Sequence, residues 1–362
     1  MENLIEVVNP GAIQELSAQL IKNSCSCLEC KDFISGQRLT SIVQLDPELT
    51  IVEVNESDSS VHFILSDGHN VTLESEIVED MLLELVPLNW RSESAKTMWN
   101  EENAPLGIFA FDQISTQDAN LFEMLDQLIS FGFAIVEKVP NRDRAVIELI
   151  NLFGFTRITN YGDIFDVRVQ NDPNNLAFTN LAIAPHTDNP YRDPVPTIQL
   201  LHCLETTVEG GHSGLVDGFR AAAQLRESNP QAFELLTTRL FHFEYKNADT
   251  YLNTSSPIIR LNAINEIVEI RWNDRSMQPP FNEDGVDDVY DALRSFAKTL
   301  NNPSNMFNFK LEPGQAVIFD NTRVLHARTG FDSAGKRHLQ GAYADLDSAI
   351  SKWSILQDKL DV

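Results

Sequence analysis

The chain has 362 residues, 43% of them apolar, and a formal net charge of −26. This length and apolar content fit one large or two modest globular domains with a buried core. The negative charge excludes a nucleic-acid-binding protein, since contacts to the phosphate backbone need clustered Lys and Arg. Solubility or a salt-adapted host explains the acidity most simply, and attraction of a cationic substrate is the second explanation.

The sequence carries no membrane or export signal that we recognise. No apolar run approaches the roughly 18 residues that a membrane-spanning helix needs. The N-terminal stretch MENLIEVVNPGAIQEL has neither a basic start nor a continuous apolar segment, unlike a signal peptide. We therefore expect a cytoplasmic protein without a membrane partner.

The first predicted elements form a small N-terminal unit over residues 1–90. Segments such as TIVEVN and SVHFILSDGHNVTLE alternate in polarity and are broken by Asp, Ser and Gly, as short strands joined by turns are. Three of the four cysteines, Cys25, Cys27 and Cys30, lie close together. In a chain without a secretion signal, such crowding favours a metal site over disulfides. The polar segment WRSESAKTMWNEENAP, which starts at Trp90, is predicted to be a linker.

Residues 91–362 are predicted to form a mainly β domain with flanking helices. STQDANLFEMLDQLISFG has helical spacing with Ser115 or Thr116 as its cap, GFAIVEKV is a buried strand, and RDRAVIELINLFG is a helix ending at Gly154. From about residue 160, short β segments dominate: DIFDVRV, NLAFTN, TIQLLHCLE, SGLVDGF, PIIRL, EIVEIRW, MFNFKL, AVIFD, RVLHAR and RHLQGAYAD. Helical patterns interrupt them at FRAAAQLRESNPQAFELLTT and DVYDALRSFAKTLNN. Many short strands with turn signals indicate a sandwich or barrel-like core.

Four residues of this domain indicate oxygen chemistry. His186 and Asp188 lie two apart in HTDNPYRDP, a spacing that directs both side chains to one side of an extended chain, and His326 lies far away in FDNTRVLHAR. Two imidazoles and one carboxylate can hold a ferrous ion and leave its other face open to a keto acid and O₂. Arg337, in RHLQGAYAD, would be costly to bury unless a bound carboxylate partnered it. Taken singly, the two histidines fit ordinary core positions, so the prediction depends on the combination.

This combination resembles the Fe(II)/2-oxoglutarate-dependent oxygenases, and within them the gamma-butyrobetaine dioxygenases, relatives of the taurine dioxygenases. The matching stretches QLLHCLE, EGGHSGLVDGF, IFDNTRVLHAR and RHLQGAYADLD run from about residue 155 to the end of the chain. The resemblance implies a double-stranded β-helix, or jelly roll, whose catalytic iron ligands are His186, Asp188 and His326. Arg337 and Ser213 would bind the far carboxylate of 2-oxoglutarate. O₂ as co-substrate, stimulation by ascorbate and a homodimer are also implied.

The N-terminal unit resembles the same branch, whose members carry a CxCxxC cluster and a later His in a DGH turn. Here these residues are Cys25, Cys27, Cys30 and His69. The resemblance implies a structural Zn²⁺, for which three Cys and one His make a closed tetrahedral set. The alternative is three reduced thiols without a ligand and a surface His.

The resemblance also implies a substrate site for a quaternary ammonium, which proteins bind by cation–π contact in an aromatic cage. Cage positions are occupied by Tyr161, Phe165, Phe178 and Tyr343. Phe165 and Phe178 depart from the Trp and Tyr expected there. Asn175 and Asn273 match family amides near the anionic end of the substrate, and Arg192 and Arg275 are additional cations in the same segments.

The function implied is hydroxylation of a small trimethylammonium zwitterion. Gamma-butyrobetaine is the first expectation, giving carnitine with succinate and CO₂ as co-products. A 2-(trimethylamino)ethylphosphonate hydroxylase of organophosphonate catabolism is the first alternative, because Arg suits a phosphonate. Trimethyllysine is a further substrate alternative. A non-catalytic binding module of cupin-like or zinc-ribbon type, with a degenerate site, is the alternative from another class.

Overall fold

A computed structural model describes residues 13, 16–82, 90–169, 179–280, 285–332 and 335–360. The chain divides into two compact units, residues 1–88 and 89–362. The sequence predicted domains of 1–90 and 91–362, and their independence as folding domains stays a prediction. None of the helices in the described part of the chain is long and apolar enough to cross a bilayer.

The N-terminal unit is a three-stranded antiparallel sheet with two short helices. Its elements are α1 (Ala18–Ser24), β1 (Ile51–Glu56), β2 (Ser60–Leu65), β3 (Asn70–Glu74) and α2 (Ser75–Leu82), with sheet order β1-β2-β3. The predicted alternation is visible in β2, where Val61, Phe63 and Leu65 are buried and the residues between them are not. A turn at Gly68, whose φ is +82°, joins β2 to β3 and carries His69.

The second unit is built from fourteen described strands and seven described helices. The strands are β4 (Ile108–Ala110), β5 (Phe133–Glu137), β6 (Phe165–Arg168), β7 (Ile183–His186), β8 (Ile198–Thr206), β9 (Ser213–Asp217), β10 (Phe241–Lys246), β11 (Tyr251–Ser256), β12 (Ile259–Leu261), β13 (Ile267–Ile270), β14 (Met306–Phe309), β15 (Ala316–Asp320), β16 (Val324–Arg328) and β17 (Arg337–Ala344). The helices are α3 (Phe111–Ile114), α4 (Asp118–Phe131), α5 (Ala145–Ile150), α6 (Gly218–Ser228), α7 (Pro230–Thr238), α8 (Val286–Leu300) and α9 (Leu346–Leu360).

Two sheets position the cavity of this unit. The larger has the order β4-β5-β15-β8-β17-β6, the smaller has the order β14-β9-β16-β7, and two hairpins, β10-β11 and β12-β13, stand apart. Apolar residues of both sheets share one core, in which Phe133 and Phe319 meet Leu215 and Val324. Helices α4, α5 and α9 cover the other face of the larger sheet, and helices α6 to α8 pack beside the smaller one. The predicted sheet-rich fold with flanking helices is confirmed, and its layers are consistent with a jelly-roll oxygenase.

The predicted linker at Trp90 is wrong. Trp99 is fully buried, and its indole Nε1 donates to the Phe131 carbonyl at 2.6 Å. The ring of Trp90 packs edge-on against Trp353, with ring centroids 4.8 Å apart. The segment is polar in composition, but its tryptophans find partners far along the chain, which a local pattern does not reveal.

Helix boundaries and some elements also differ from the predictions. Helix α4 begins after Gln117, without a side-chain cap from Ser115 or Thr116. The long pattern after β9 is two helices, because the Asn229 side chain caps α7 and Pro230 starts it. The sequence reading missed β7, the β10-β11 hairpin and α9. Strand β7 is only four residues long and contains a proline, so it has no periodicity to detect.

Candidate active site

Strand pairing brings the predicted His-x-Asp and distant His together. Strands β16 and β7 are antiparallel, and their register sets His326 directly opposite His186. The two imidazole centroids are 4.1 Å apart. Asp188 follows β7 by two residues, and the possible ligand atoms of the three side chains all lie within 4.8 Å of one another. Asn321 fixes the backbone of the segment after β7, since its amide accepts from the Asp188 N–H at 2.7 Å and donates to the Asp188 carbonyl at 2.9 Å.

The electrostatics of these three side chains suit a cation. Burial and the neighbouring His186 lower the pKa of His326 to about 3, so its imidazole is neutral. Burial alone would raise the pKa of Asp188, but the neighbouring His186, His326 and Tyr343 lower it well below its usual range. His186 Nδ1 lies 2.9 Å from the Ala184 carbonyl, which favours a proton on Nδ1 and leaves Nε2 as the ligand atom.

His326 Nδ1 provides a test of whether a metal fits. It is buried and has no hydrogen-bond partner among the described residues. A buried polar atom without a partner is costly. Two imidazoles and one carboxylate around a common point match the donor set of a 2-His-1-carboxylate iron site, so these residues fit the group that the sequence predicts.

Arg337 lines one end of the cavity. Arg337 begins β17 and is 9% exposed. Within the described part of the chain its guanidinium donates to the Gly211 carbonyl at 3.5 Å and has no carboxylate partner. It lies over the Phe331 ring at 5.6 Å, and Gly211, whose φ is +65°, leaves the room in which the side chain rests. Ser213, at the start of β9, lines the same cavity.

Aromatic side chains also line this cavity, whose volume is about 410 Å³. Phe165 stacks on Tyr343 with centroids 5.0 Å apart, and Tyr161 lies 6.2 Å from Phe165. Strand register sets Phe165 opposite Gly341, and a Cβ on Gly341 would meet the Phe165 ring at 2.3 Å. Glycine at this position is therefore what allows the ring to lie flat against β17.

Two further tyrosines, Tyr191 and Tyr245, extend this aromatic wall and were not predicted. Their rings stack 5.1 Å apart, and Tyr245 lies 5.9 Å from Tyr161. The Tyr161 and Tyr191 hydroxyls lie 3.0 Å apart. Burial raises the pKa of Tyr161 to about 12, so its phenol is neutral. Tyr191 stands inside the HTDNPYRDP motif, a signal that was available, whereas Tyr245 lies in the missed hairpin.

The residues predicted for the anionic end have different environments. Asn273 Oδ1 accepts from the Arg275 backbone N–H at 3.2 Å and from its Nε at 3.3 Å, while Nδ2 donates to the Thr187 carbonyl. The Asn273 amide thus holds Arg275 in place, and Arg275 lines the cavity. Arg192 donates to Asn160 and is not among the cavity-lining residues. The predicted Asn175 and Phe178 lie outside the described residues.

Gln199 is a further residue that the sequence reading missed. Its Nε2 donates to Asp188 Oδ2 at 2.8 Å, and the Tyr343 hydroxyl donates to the same oxygen at 2.9 Å. Burial and the negative charge of Asp188 raise the pKa of Tyr343 well above its usual value, so that Tyr343 remains a donor. Gln has no spacing signature in a strand, and its role emerges only from the position of the partner sheet.

In the N-terminal unit, the four predicted zinc ligands converge. His69 Nε2 lies 3.3 Å from Cys25 Sγ, 3.5 Å from Cys27 Sγ and 3.4 Å from Cys30 Sγ. These separations are close to the roughly 3.5 Å between ligand atoms of a tetrahedral zinc site, given Zn–S and Zn–N distances of about 2.3 and 2.0 Å. All four cysteines of the chain are free thiols. The arrangement is compatible with zinc binding.

Comparisons with known proteins agree with this geometry. Residues 95–343 match the model of the family described as taurine catabolism dioxygenase TauD, TfdA family. The chain is 31% identical to a gamma-butyrobetaine dioxygenase of Pseudomonas sp. (strain AK-1), over 96% of this chain and 92% of that protein. It is 32% identical to a gamma-butyrobetaine dioxygenase of Homo sapiens, over 73% of this chain and 70% of that protein.

Other relatives and solved structures extend the comparison. A trimethyllysine dioxygenase of Meyerozyma guilliermondii is 28% identical over 96% of this chain and 91% of that protein. The fold is similar to that of an asparagine oxygenase solved with Fe(II), with a TM-score of 0.51 and 15% identity over 65% of this chain and 82% of that one. The extent of the family match shows that the chain belongs to the TauD/TfdA family of dioxygenases, the 2-oxoglutarate-dependent class that its motifs predicted.

Proposed function

We propose that this dioxygenase hydroxylates a small trimethylammonium zwitterion, with gamma-butyrobetaine as the substrate and carnitine, succinate and CO₂ as products. The observation that carries the proposal is one cavity lined by the His186, Asp188 and His326 triad, by a buried Arg337 and by an aromatic wall. Two gamma-butyrobetaine dioxygenases among the relatives, 31% and 32% identical, support the choice of substrate.

In this proposal the triad holds Fe(II) and the Arg337 end holds 2-oxoglutarate. When bound, iron and 2-oxoglutarate supply the O₂ activation that no protein side chain can provide. Arg337 and Ser213 orient the far carboxylate of the co-substrate, since a buried guanidinium favours a bidentate anion. The jelly-roll topology of the family and stimulation by ascorbate belong to the same proposal.

The aromatic wall selects and orients the substrate. Tyr161, Phe165 and Tyr343 present neutral rings, whose negative faces attract a cation that has no hydrogen to donate. Arg275, held by Asn273, offers a positive partner to the anionic end of the substrate. Binding at both ends fixes which carbon lies beside the triad and keeps water from that place.

Two observations favour other substrates of the same class as alternatives. The trimethyllysine dioxygenase relative favours trimethyllysine as the second candidate. Arg275 favours the phosphonate analogue, because three phosphonate oxygens gain more from a guanidinium than a carboxylate does. The complete triad argues against a non-catalytic module.

Turnover of the whole chain with gamma-butyrobetaine, trimethyllysine and 2-(trimethylamino)ethylphosphonate tests the proposal. We expect gamma-butyrobetaine to give equimolar succinate and hydroxylated product. His186→Ala removes an iron ligand and should abolish Fe-dependent turnover, whereas His62→Ala, in the N-terminal unit, should retain it. If none of the three compounds raises succinate formation above the substrate-free rate, the quaternary-ammonium assignment is wrong.

Outside the catalytic cavity, we infer a structural zinc bound by Cys25, Cys27, Cys30 and His69. The convergence of three sulfurs on His69 Nε2 supports this. A homodimer stays a prediction that sedimentation or light scattering of the purified chain would check. A cytoplasmic location also stays a prediction.

A further inference from the structure

The two carboxylate oxygens of Asp188 have different surroundings. Oδ2 accepts two hydrogen bonds, from Gln199 Nε2 at 2.8 Å and from the Tyr343 hydroxyl at 2.9 Å. Oδ1 instead faces the imidazole of His186, whose Nε2 is 3.5 Å away. Oδ2 is therefore held by two protein donors, whereas Oδ1 faces His186.

The two donors come from directly opposite positions of the larger sheet. Tyr343 in β17 is the cross-strand partner of Gln199 in β8, whereas Asp188 follows β7 of the smaller sheet. The hydrogen bonds therefore join the two sheets through one carboxylate oxygen. Gln199 is 1% exposed and Tyr343 is 3% exposed. Because the two donors are buried, a rotation of Asp188 away from them would leave both without this partner, which favours one rotamer.

Tyr343 contacts two neighbours at once. Its hydroxyl reaches Asp188, and its ring stacks on Phe165 in the aromatic wall. Gln199, in contrast, has no second partner among the described residues, since its Oε1 is buried without one. Its one side-chain hydrogen bond in this part of the chain is thus the bond to Asp188.

We propose that Gln199 and Tyr343 are positioning residues that restrict Asp188 to binding iron through Oδ1 alone. The proposal rests on the function proposed above. A carboxylate that bound through both oxygens would cover one more coordination position. A 2-His-1-carboxylate site would need its remaining positions open for 2-oxoglutarate and O₂, and outer residues that orient a ligand are a common means to that end.

Mn(II) binding to the full chain, without 2-oxoglutarate or substrate, tests the proposal. Tyr343→Phe keeps the ring and removes the hydroxyl, and Gln199→Leu keeps most of the volume and removes the donor. We expect each to weaken Mn(II) affinity about tenfold, and the double variant up to about 100-fold, as for other residues that orient metal ligands. Tyr191→Phe is the matched control: it removes a hydroxyl that bonds to Tyr161 in the same cavity, and should bind Mn(II) like the parent chain.

The Mn(II) electron paramagnetic resonance spectrum and steady-state kinetics add readouts that a loss of packing would not give. The spectrum of Tyr343→Phe should change because a second oxygen of Asp188 would then be free to share the metal. Its KM for the trimethylammonium substrate should stay within about threefold, since the ring remains, while succinate formed per hydroxylated product rises.

Parent-like Mn(II) affinity and spectrum in the double variant would overturn the proposal. If Gln199→Leu does not fold, Tyr343→Phe alone decides by the same criteria. A failure of the proposed function is distinguishable. A wrong substrate assignment would leave the Mn(II) results unchanged, whereas a wrong metal site would leave the unaltered chain binding Mn(II) no better than His186→Ala does.

Discussion

At the scale of single residues, Arg337 has the simplest consequence. Its guanidinium is buried without a carboxylate partner among the described residues, so we expect a bound anion to supply the counter-charge. Arg337→Met should raise the KM for 2-oxoglutarate about 100-fold, since removing one member of a buried charge pair costs about 2–5 kcal/mol. The KM of Arg337→Lys for 2-oxoglutarate should lie between the values of the parent chain and of Arg337→Met, because an ammonium cannot bind a carboxylate through two parallel hydrogen bonds.

The neighbouring Lys336 provides the control for this prediction. Its side chain is 77% exposed and lies 3.7 Å from Glu205. Lys336→Ala should therefore leave the KM for 2-oxoglutarate unchanged. An unchanged KM in Arg337→Met as well would mean that the co-substrate binds elsewhere.

A substitution of Gly341 tests the role of the Phe165 ring in substrate binding. A Cβ at this position would lie 2.3 Å from the Phe165 ring, so Gly341→Ala must displace the ring or strand β6. We expect a 10- to 100-fold loss in kcat/KM for the trimethylammonium substrate, since about 1 Å of misplacement has effects of this size. The KM for 2-oxoglutarate should change much less.

Gly330→Ala is the matched control, because its Cβ would find its nearest neighbours at 3.7 Å, an ordinary contact. Steady-state kinetics of both variants with both substrates make the comparison. Equal kinetics in Gly341→Ala and Gly330→Ala would contradict a substrate-binding role for Phe165.

A sequence motif predicts which residues form a site. His186, Asp188, His326 and Arg337 were predicted together, and they line one cavity. Asn273 lines the cavity, as predicted for a substrate amide, but its bonds to Arg275 and to the Thr187 carbonyl were not predicted. The partner of an amide depends on which backbone lies beside it, and no local pattern contains that information.

At the scale of elements, one buried ion pair ties several together. Arg323, in the turn before β16, and Asp217, at the end of β9, are both fully buried, with Nη2 2.8 Å from Oδ2. Asp217 also caps helix α6 and accepts the Trp99 N–H, and Arg323 donates to the carbonyls of Thr97 and Ser130. The pair therefore connects the smaller sheet to the segment that was predicted to be a linker.

Asp217→Asn should destabilise the second unit by about 3–5 kcal/mol, because it leaves a buried guanidinium without its counter-charge. Urea denaturation measures the free energy of unfolding. Asp291→Asn breaks an exposed pair with Arg294 and should change stability by no more than about 0.5 kcal/mol. If the two variants are equally stable, the buried pair does not hold these elements together.

At the scale of the whole molecule, the N-terminal unit should depend on its metal. Zinc content near one atom per chain is expected by mass spectrometry, and none in His69→Ala. Because metal binding contributes about 10–16 kcal/mol in small zinc peptides, removal of zinc should expose the amides of β1, β2 and β3 to hydrogen exchange. Residues 89–362 should keep their protection.

Cys203→Ala serves as the control for the zinc prediction. Cys203 is a buried free thiol in β8 of the second unit, so its loss should leave the zinc content unchanged. Full amide protection of β1 to β3 in the zinc-free chain would show that the apolar core of this unit suffices by itself.

The sequence alone determined the chemistry: the iron triad, Arg337, the cysteine cluster and the mainly β class. These depend on motifs of rare residue types in a fixed order and on the two-residue period of strands, which persist in any correct fold. Only the tertiary structure decided the environment of that chemistry. Gln199 and Tyr343 meet Asp188, and Tyr245 meets Tyr161, because two sheets and a hairpin place distant segments side by side. Common residue types carry no spacing signal, so their roles follow from packing and not from the motif.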